Sequence, residues 1–297
     1  MKLLHCSRGA YDGRLFPPRN MQDVAPVLSE IPESVSTQFA SSAALQSYLK
    51  LIVQPPSKAW RYQLNGKSGN TFTLNLLYEL EHGYPFRGRV AVSETGNQHP
   101  DFALFSQVGS GLLSTALVES KTWEDFCNFP GLRLATVRHP AKRALSGFRY
   151  LCRSHDVGDR RFLHERLRLS ALTGFDFDTD RDTVRGFELF LAYIRDYADS
   201  FGAEAVDPHW RLQALHIRPD LYRPDITGRT EEMASFAQAV AARLDRPLIS
   251  DLSEMRSNAS STSVSDELLR GPSIHRLIED IYGQDFDLFE YARDPTG

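Results

Sequence analysis

The stretch "LNGKSGNTFTLNLL", residues 64–77, carries the most informative local pattern in this chain. It begins at the end of a β-rich run, "WRYQL" at 60–64, and continues into apolar residues that recur at helical spacing. The pattern therefore predicts a strand, a glycine-containing loop and a helix. Such a corner aims several backbone N–H groups and the positive end of a helix dipole at one point, which attracts phosphate or sulfate. The apolar residues of the predicted helix are Phe72, Leu76, Leu77 and Leu80.

Within this loop, Gly66-Lys67-Ser68 looks like the end of a nucleotide-binding Walker loop. A Walker loop needs a glycine five residues before Gly66, where its backbone curls around the phosphates, and this chain has Arg61 there. It also works with a magnesium-binding carboxylate, and Asp225 is the only acid that the predicted strands place near a strand end. A P-loop kinase or ATPase therefore stays an alternative, as does a plain strand-turn-helix corner without a ligand.

The composition is that of a soluble globular protein. The chain has 297 residues, of which 41% are hydrophobic and 24% are charged, and its formal net charge is -4. This length allows one large α/β domain, and we expect a single domain over residues 1–297. A negative net charge argues against a nucleic-acid partner that binds through bulk electrostatics, so any anion site has to be local.

The N-terminal sequence and the cysteines indicate which cellular location and which metal content to expect. "MKLLHCSRGAYDGRLF" at 1–16 has an apolar run of only two leucines before His5, too short for a signal peptide or a membrane span. We therefore expect no membrane span and a cytoplasmic location. The cysteines Cys6, Cys127 and Cys152 form no CxxC pair, so we expect no metal site.

From residue 60 onward the chain alternates short β-rich runs with segments of helical period. We therefore expect an α/β fold with a central, mostly parallel sheet flanked by helices. The first 55 residues are rich in proline and are expected to wrap the core, and the densely charged residues 155–185 indicate an insertion. The predicted strands are 60–64, 88–93, 132–137 and 221–226, and the predicted helices are one around 72–80, one from Pro140, 187–201, 231–244 and a final one from 273 that stops near Gly283.

A second motif begins in the third predicted strand. "TVRHPAKRALSGFRYL" at 136–151 places Arg138 at the end of that strand, directly before a helix. On this helix Lys142, Ser146 and Arg149 share the face opposite the apolar residues. Arg138, the helix start and Ser146 can therefore converge on a second anion. A solvated basic helix face is the other interpretation of this run.

Two anion sites at the carboxyl ends of strands in one sheet suit a ligand with phosphate groups at both ends. Here the residues resemble the sulfotransferases. "KSGNTF" at 67–72 is similar to their 5′-phosphosulfate loop, which has Lys, two small residues, Thr or Ser and then an aromatic residue. "VRHPAKRALSGFRY" at 137–150 resembles the 3′-phosphate motif of their carbohydrate branch, Arg-x-Pro-x-x-Arg-x-x-Ser-x-aromatic-Arg.

Three later segments extend this resemblance over roughly residues 60–291. The resemblance implies a P-loop-like three-layer sandwich. Asn70 departs from the pattern, because a small residue is common at its position, and residues 155–185 match no segment of the family. The three segments are "DPHWRLQ" at 207–213, "ITGRTEEM" at 226–233 and "IYGQDFDLFEY" at 281–291.

The resemblance implies 3′-phosphoadenosine 5′-phosphosulfate (PAPS) as the donor, a hydroxyl of a carbohydrate or glycoconjugate as the acceptor, and no metal. Sulfuryl transfer parallels phosphoryl transfer, in which negative charge builds on the bridging oxygen of the leaving group and a cation there lowers the barrier. Lys67 is the implied cation. The implied donor-binding residues are Lys67, Ser68, Gly69, Asn70 and Thr71 for the 5′ end, and Arg138 and Ser146 for the 3′-phosphate.

The acceptor hydroxyl needs a general base, which in related sulfotransferases is a glutamate or a histidine near the end of the second strand. Glu94 and His99 follow the run at 88–93, and we favour His99 because the unperturbed pKa of histidine is nearer neutrality. His209 in "DPHW" is a third candidate, although a structural histidine beside a buried tryptophan is the plainer interpretation. Each of the three also fits an ordinary polar loop residue.

Two further groups of residues remain open to two interpretations. Arginines of the charged segment suit either an acceptor groove for an acidic glycan or a solvated helix face. A later loop resembles the one that closes over the nucleotide in relatives. The sequence names neither the acceptor nor the oligomeric state, and a nucleotide-binding module without catalysis stays a third function class. The residues concerned are Arg160, Arg161, Arg166 and Arg168 in the groove, and Arg256, Ser257 and Asn258 in the loop.

Overall fold

A computed structural model gives the fold of this protein. In its described ranges the chain forms a five-stranded sheet, a separate two-stranded sheet and helices, so the predicted α/β class is confirmed. Of residues 89–91, 98–100 and 161 only the backbone is described. The described residues are 29–91, 98–100, 102, 111–156, 158, 160–251 and 267–293.

The strands of the described ranges form the two sheets. They are β1 (Ile52–Gln54), β2 (Trp60–Gln63), β3 (Arg89–Ala91), β4 (Gln98–Pro100), β5 (Ser114–Thr115), β6 (Leu132–Val137) and β7 (Ile226–Arg229). The larger sheet has the order β5-β1-β2-β6-β7. In it β2, β6 and β7 pair in parallel, whereas β1 is antiparallel to both β2 and β5. The carboxyl ends of β2 and β6 therefore lie side by side.

Most of the remaining described residues are helical, and the helix ends have local causes. Thr183 accepts a hydrogen bond from the Gly186 N–H at the start of one long helix, and Gly83 ends another in the left-handed conformation. The helices are α1 (Glu33–Ser36), α2 (Ser42–Lys50), α3 (Asn70–His82), α4 (Ala116–Glu119), α5 (Trp123–Cys127), α6 (Pro140–Asp156), α7 (Leu163–Thr173), α8 (Val184–Phe201), α9 (Gln213–Ile217), α10 (Pro219–Tyr222), α11 (Met233–Leu244) and α12 (Pro272–Leu288).

Apolar side chains cover both faces of the larger sheet. Leu132 and Leu134 of β6 pack with residues of α3 and α11, whereas Ala135 and Val137 pack with residues of α2, α4 and α5. Alternate residues of a strand point to opposite faces, so a strand covered on both sides has a nearly continuous apolar sequence. A third cluster lies among α6, α7, α8 and α12. The sheet edge that carries the ends of β2 and β6 is thus set in a rigid frame.

Several predicted elements around this edge are confirmed. The strands predicted at 60–64 and 132–137 are β2 and β6, and they are parallel neighbours with Trp60 opposite Leu132. The helix predicted from Pro140 begins at that residue as α6. The proline has no backbone N–H to leave unpaired in the first turn, and its fixed φ suits a helix start.

The strand predicted at 88–93 lies in a different sheet from the one expected. Strand β3 spans Arg89–Ala91 and pairs antiparallel with β4, with Val90 opposite His99, in the separate two-stranded sheet. The prediction that this run is the second strand of the central sheet is therefore wrong for the residues that the structure describes. Pairing with a strand a few residues away closes a short loop, which costs less chain entropy than joining the distant sheet edge.

The strand predicted at 221–226 is also misplaced. Its first residues belong to α10, and β7 begins only at Ile226. Arg223 has a positive φ of 52° directly before Pro224, so the chain is not extended there and the strand begins later. Asp225 then receives a hydrogen bond from the Arg133 N–H at 2.7 Å, near the start of β6. The carboxylate of Asp225 therefore lies at the amino-terminal edge of the sheet, away from the loop that follows β2.

The prediction that the final helix stops near Gly283 is wrong. Helix α12 continues to Leu288, and the residues after the glycine include Asp285 and Phe286, both almost fully buried. A glycine inside a helix costs about 1 kcal/mol relative to alanine. Burial of the following turn offsets that cost, and this packing cannot be read from the local sequence.

Residues 155–185 contribute to the main core. Arg160–Phe162 form a short 3₁₀ helix that leads into α7, and Phe162 and Leu169 are buried in the cluster shared with α8 and α12. Arg166 is buried as well and donates to the Ser154 carbonyl oxygen, so it faces the protein interior. Arg168 pairs with Glu165 at 2.9 Å.

Candidate active site

The loop between β2 and α3 has the shape of an anion cradle. Lys67 and Gly69 have positive φ angles of 64° and 82°, so the chain turns sharply before the 13-residue helix α3 begins. A side chain at Gly69 would be strained there and would lie 3.3 Å from the Thr230 methyl carbon. Within the described ranges the N–H groups of Gly69, Asn70 and Thr71 donate no hydrogen bond. They are free to bind an anion at the helix N-terminus.

Asn70 closes this loop with its side chain. Its Oδ1 accepts a hydrogen bond from the Tyr62 hydroxyl at 2.7 Å and from the Asn65 N–H at 3.1 Å. The Tyr62 hydroxyl is also 2.6 Å from the Thr136 hydroxyl of β6. An asparagine at this position therefore ties the loop to two strands of the sheet, while its backbone N–H stays available for a ligand.

Ser68 does not face the cradle. Its side chain is fully buried, its hydroxyl donates to Gln213 Oε1 at 3.1 Å, and its N–H donates to the Asn65 carbonyl at 3.2 Å. Both polar groups that we expected to contact the donor are thus engaged within the protein. Ser68 therefore holds the loop in place from inside, and its contact with the donor stays a prediction.

Arg138 lies against the loop, as its position at the end of β6 predicts. Its Nη1 donates to the Lys67 carbonyl oxygen at 3.3 Å, and it forms no salt bridge with any carboxylate that the structure describes. Burial lowers the pKa of its guanidinium, while the carboxylate of Glu231 acts in the opposite direction. Ser146 is half-buried on α6, and Arg149 lies 3.6 Å from Asp182.

Gln213 joins the loop to the strand end. Its Oε1 accepts hydrogen bonds from the Arg138 N–H at 2.9 Å, from Asn65 at 3.1 Å and from Ser68, and its Nε2 donates to the Arg138 carbonyl at 2.8 Å. The Gln213 N–H in turn donates to Asp285 of α12 at 2.8 Å. Sequence reasoning gave this residue no role, although it is the last residue of the "DPHWRLQ" segment.

Arg143 is a second residue that sequence reasoning left without a role. Its guanidinium is buried and donates to three backbone carbonyls: Gly66 at 2.9 Å, Pro208 at 3.0 Å and Arg211 at 2.6 Å. A Cβ at Gly66 would lie only 3.2 Å from His209 Cα, so the loop and this segment are in direct contact. Arg143 therefore fixes the loop against residues 207–211. Its position inside the Arg138 motif was the feature of the sequence that could have indicated this role.

Lys67 has no acidic partner in the described ranges. Its Nζ lies 4.0 Å from the centroid of the Tyr150 ring, a cation–π contact, and the side chain is half-buried. Burial lowers the pKa of Lys67 to about 8, and the charges of Arg138, Arg153 and Arg143 act in the same direction. The ammonium group of Lys67 is therefore a positive charge that no salt bridge neutralises within the described residues.

Because the charge of Lys67 has no salt-bridge partner in the described ranges, replacing this lysine with an uncharged residue should raise the free energy of unfolding. Between pH 8 and pH 10.5 the unfolded chain binds more protons at Lys67 than the folded one, so stability rises with pH across this window. At pH 7 Lys67→Met should be more stable than wild type by about 1–2 kcal/mol, after allowance for solvent screening. The difference should shrink towards pH 10.5.

Urea unfolding of Lys67→Met and wild type at pH 7 and at pH 10 measures this difference. Lys50→Met, at an exposed position in the last turn of α2, is the matched control and should change neither value. A Lys67→Met protein that is less stable than wild type at pH 7 would contradict the uncompensated-charge argument.

His209 lies beside the same tyrosine ring. Its Nδ1 is 2.8 Å from Asp207 Oδ1, and its ring centroid is 5.4 Å from that of Tyr150. The neighbouring Trp210 is 1% exposed and packs against Phe190, so it belongs to the core. The structure thus brings His209, Tyr150 and Lys67 together at one point.

Arg61, at the position of the missing Walker glycine, lies inside β2. Its guanidinium is buried, donates to Gln54 at 2.5 Å and to the Phe126 carbonyl at 2.9 Å, and lies 4.0 Å from the Phe129 ring centroid. Burial lowers the pKa of Arg61 to about 10. Strand β2 thus continues where a Walker loop would already have left the sheet, and only residues 64–69 connect it to α3.

Other predicted site residues fall partly or wholly outside the described residues. Glu94 and the loop of Arg256, Ser257 and Asn258 are not described, and of His99 only the backbone is. Among the described residues no group of three or more His, Cys, Asp or Glu side chains is placed to hold a metal. No helix in these ranges is both long enough and apolar enough to cross a membrane.

Comparison with known proteins identifies the family. The sequence matches the family model of the sulfotransferase family over residues 66–292. Comparisons with curated proteins and with solved structures find no match. The matched range takes in most of the loop, Arg138, the "DPHWRLQ" segment and α12, which are the parts that meet at the site. It covers well over half of the chain, and the chain therefore belongs to the sulfotransferase family, in the branch termed sulfotransferase family 2.

Proposed function

We propose that this protein transfers the sulfuryl group of PAPS to a hydroxyl of a carbohydrate or glycoconjugate. Membership of the sulfotransferase family supports sulfuryl transfer. The observation that supports the donor is the pairing of two cations, Lys67 and Arg138, in one hydrogen-bonded unit without a carboxylate partner in the described ranges. A ligand with anionic groups at both ends would supply the missing negative charge.

The residues present fit the two ends of such a donor. The free N–H groups of Gly69, Asn70 and Thr71 would hold the 5′-phosphate at the N-terminus of α3. Arg138 would hold the 3′-phosphate with its guanidinium, and Ser146 would add a hydroxyl donor from α6. Bound there, the donor supplies an activated sulfuryl group.

Lys67 has the main electrostatic role in this proposal. Its ammonium group would lie near the oxygen that bridges the sulfuryl group and the 5′-phosphate, where charge develops as the S–O bond breaks. Its ammonium group contacts the Tyr150 ring, and no carboxylate of the described residues pairs with it. The pKa of about 8 keeps Lys67 mostly protonated at neutral pH, and a bound anion would raise that pKa further.

The other function classes are less well supported. A P-loop kinase or ATPase would use a carboxylate at the carboxyl end of a strand, whereas Asp225 lies at the opposite edge beside Arg133. A nucleotide-binding module without catalysis would bind the bisphosphate product but transfer nothing. The proposal also retains a P-loop-like three-layer sandwich, a single domain over residues 1–297, a cytoplasmic location and a base at His99 or Glu94.

Binding of 3′-phosphoadenosine 5′-phosphate, the desulfated donor, tests the 3′-phosphate site. Arg138→Ala should raise its Kd by about 10–100-fold, because a charge-assisted bond to phosphate contributes about 1.5–3 kcal/mol. Adenosine 5′-phosphate, which lacks the 3′-phosphate, should bind both proteins alike. Calorimetry with both ligands, and with ATP and magnesium, makes the comparison.

Arg276→Ala, at an exposed position on α12, is the matched control and should bind the bisphosphate as wild type does. A preference for ATP with magnesium would reopen the kinase alternative. An unchanged Kd for the bisphosphate in Arg138→Ala would show that Arg138 does not hold the 3′-phosphate.

A further inference from the structure

Asp207 and His209 form a pair close to the Tyr150 ring that Lys67 also contacts, and the proposed donor-binding residues do not include them. Asp207 Oδ1 accepts the backbone N–H of His209 at 2.9 Å and also lies 2.8 Å from its Nδ1. The carboxylate thus holds both the backbone and the ring of the histidine. The His209 side chain is 35% exposed, so solvent and small groups can reach it.

This pairing defines which ring nitrogen can take a proton. An ionised carboxylate only accepts hydrogen bonds, so Nδ1 of His209 carries the hydrogen that it donates to Asp207. In the neutral ring Nε2 is then the nitrogen with a free lone pair. No hydrogen bond joins Nε2 to any residue that the structure describes. A carboxylate that fixes the tautomer of a histidine and leaves Nε2 open is the arrangement of a general base.

Three contacts hold this histidine beside the cation of the site. Both groups contact the Tyr150 ring, with Lys67 Nζ at 4.0 Å from its centroid and the centroid of the His209 ring at 5.4 Å. A Cβ at Gly66 would lie 3.5 Å from His209 Cδ2, so the imidazole touches the loop directly. Arg143 donates to the carbonyls of both Gly66 and Pro208, which fixes the backbones on either side.

We propose that His209 is the general base that accepts the acceptor hydroxyl proton, with Asp207 as its positioning residue. This inference rests on the proposed sulfuryl transfer. The acceptor oxygen forms a new bond to sulfur while the bond from sulfur to the 5′-phosphate oxygen breaks. The hydroxyl proton passes to His209 Nε2, the desulfated nucleotide leaves with the bridging electron pair, and His209 later returns the proton to solvent.

The electrostatics around the ring explain why Asp207 is needed. After His209 takes the proton it is a cation close to other cations, which disfavours the charged form. The carboxylate of Asp207 offsets that repulsion through a charge-assisted hydrogen bond. The titratable and charged groups near the imidazole are Asp207 and Arg211 in its own segment, Tyr150 and Arg143 from α6, Lys67 from the loop and His216 from α9.

The test follows sulfuryl transfer from labelled PAPS to water, and to unsulfated chondroitin and heparosan as polysaccharide probes. His209→Gln should slow transfer to whichever of these acceptors wild type uses by about 100-fold or more, the range of general-base catalysis. Asp207→Asn should give a smaller loss. His164→Gln, on the exposed side of α7, is the control and should match wild type.

A second readout separates a base from a structural histidine. Calorimetric Kd values for 3′-phosphoadenosine 5′-phosphate should agree within about 3-fold between wild type and His209→Gln, because a residue that acts only on the proton contributes no donor affinity. A His209→Gln protein that transfers sulfuryl groups at the wild-type rate would overturn the inference, and a large loss in His99→Gln alone would assign the base to His99. Wild type that neither binds the bisphosphate nor consumes PAPS would instead refute the proposed donor itself.

Discussion

Replacing Lys67 with methionine is expected to lower kcat for sulfuryl transfer by about 10²–10³-fold. The physical reason is that charge on the bridging oxygen appears only as the S–O bond breaks, so the ammonium group stabilises the transition state more than the bound donor. In this site Lys67 is half-buried and free of any described carboxylate, which makes its charge effective. Steady-state kinetics with varied PAPS measures kcat and KM.

The affinity for the desulfated nucleotide should change far less than kcat in Lys67→Met. The same variant should also be more stable at pH 7, so a fall in kcat cannot be assigned to unfolding. Lys50→Met provides the exposed control, with kcat as in wild type. An increase in KM with kcat unchanged would contradict the assignment, because it would mean that Lys67 binds ground state and transition state equally.

Replacing Arg143 with methionine should destabilise the protein by about 3–5 kcal/mol. The substitution leaves the carbonyls of Gly66, Pro208 and Arg211 without their donor in a buried place. It also removes the link between the loop and the segment of His209, so transfer should fall even under conditions where the variant is folded. Urea unfolding gives the stability, and transfer assays at low temperature give the activity of the folded variant.

Arg195→Met is the matched control for Arg143. Arg195 of α8, whose side chain is 41% exposed, pairs with its neighbour Asp196 at 2.9 Å, and its loss should change stability by less than about 0.5 kcal/mol. If Arg143→Met unfolded at the same urea concentration as wild type, the three hydrogen bonds would contribute no net stability. In that case the desolvation free energy of the buried guanidinium would equal the free energy that its hydrogen bonds contribute.

Local patterns were sufficient to predict the two strand-to-helix connections of the site, one from β2 to α3 and one from β6 to α6. The β-rich run before Gly66, the helical spacing after it and Pro140 at the start of α6 each act within one turn or strand. They placed Lys67 beside Arg138 because parallel neighbours end at the same sheet edge. The position of the acid Asp225 was not predictable, because the left-handed conformation of Arg223 delays the start of β7.

The residues that hold these two connections together could not be predicted from the sequence. Arg143 reaches a carbonyl 77 residues away, and Gln213 bonds to a side chain 148 residues away. No periodicity connects such positions, so both were read as parts of motifs without a role. The burial of Ser68 could not be predicted for a related reason, because it depends on Gln213 and not on its neighbours in the loop.

The contact of Asp285 with the backbone of Gln213 and Ala214 couples the site to the packing of helix α12. Helix α12 holds Gln213, Gln213 holds the loop and the end of β6, and none of these links forms before distant parts of the chain have met. A ligand at this site therefore binds only a chain in which these parts are assembled. By mass action its binding energy adds to the free energy of opening these contacts, and a saturating ligand would protect even α12, far along the chain, from opening.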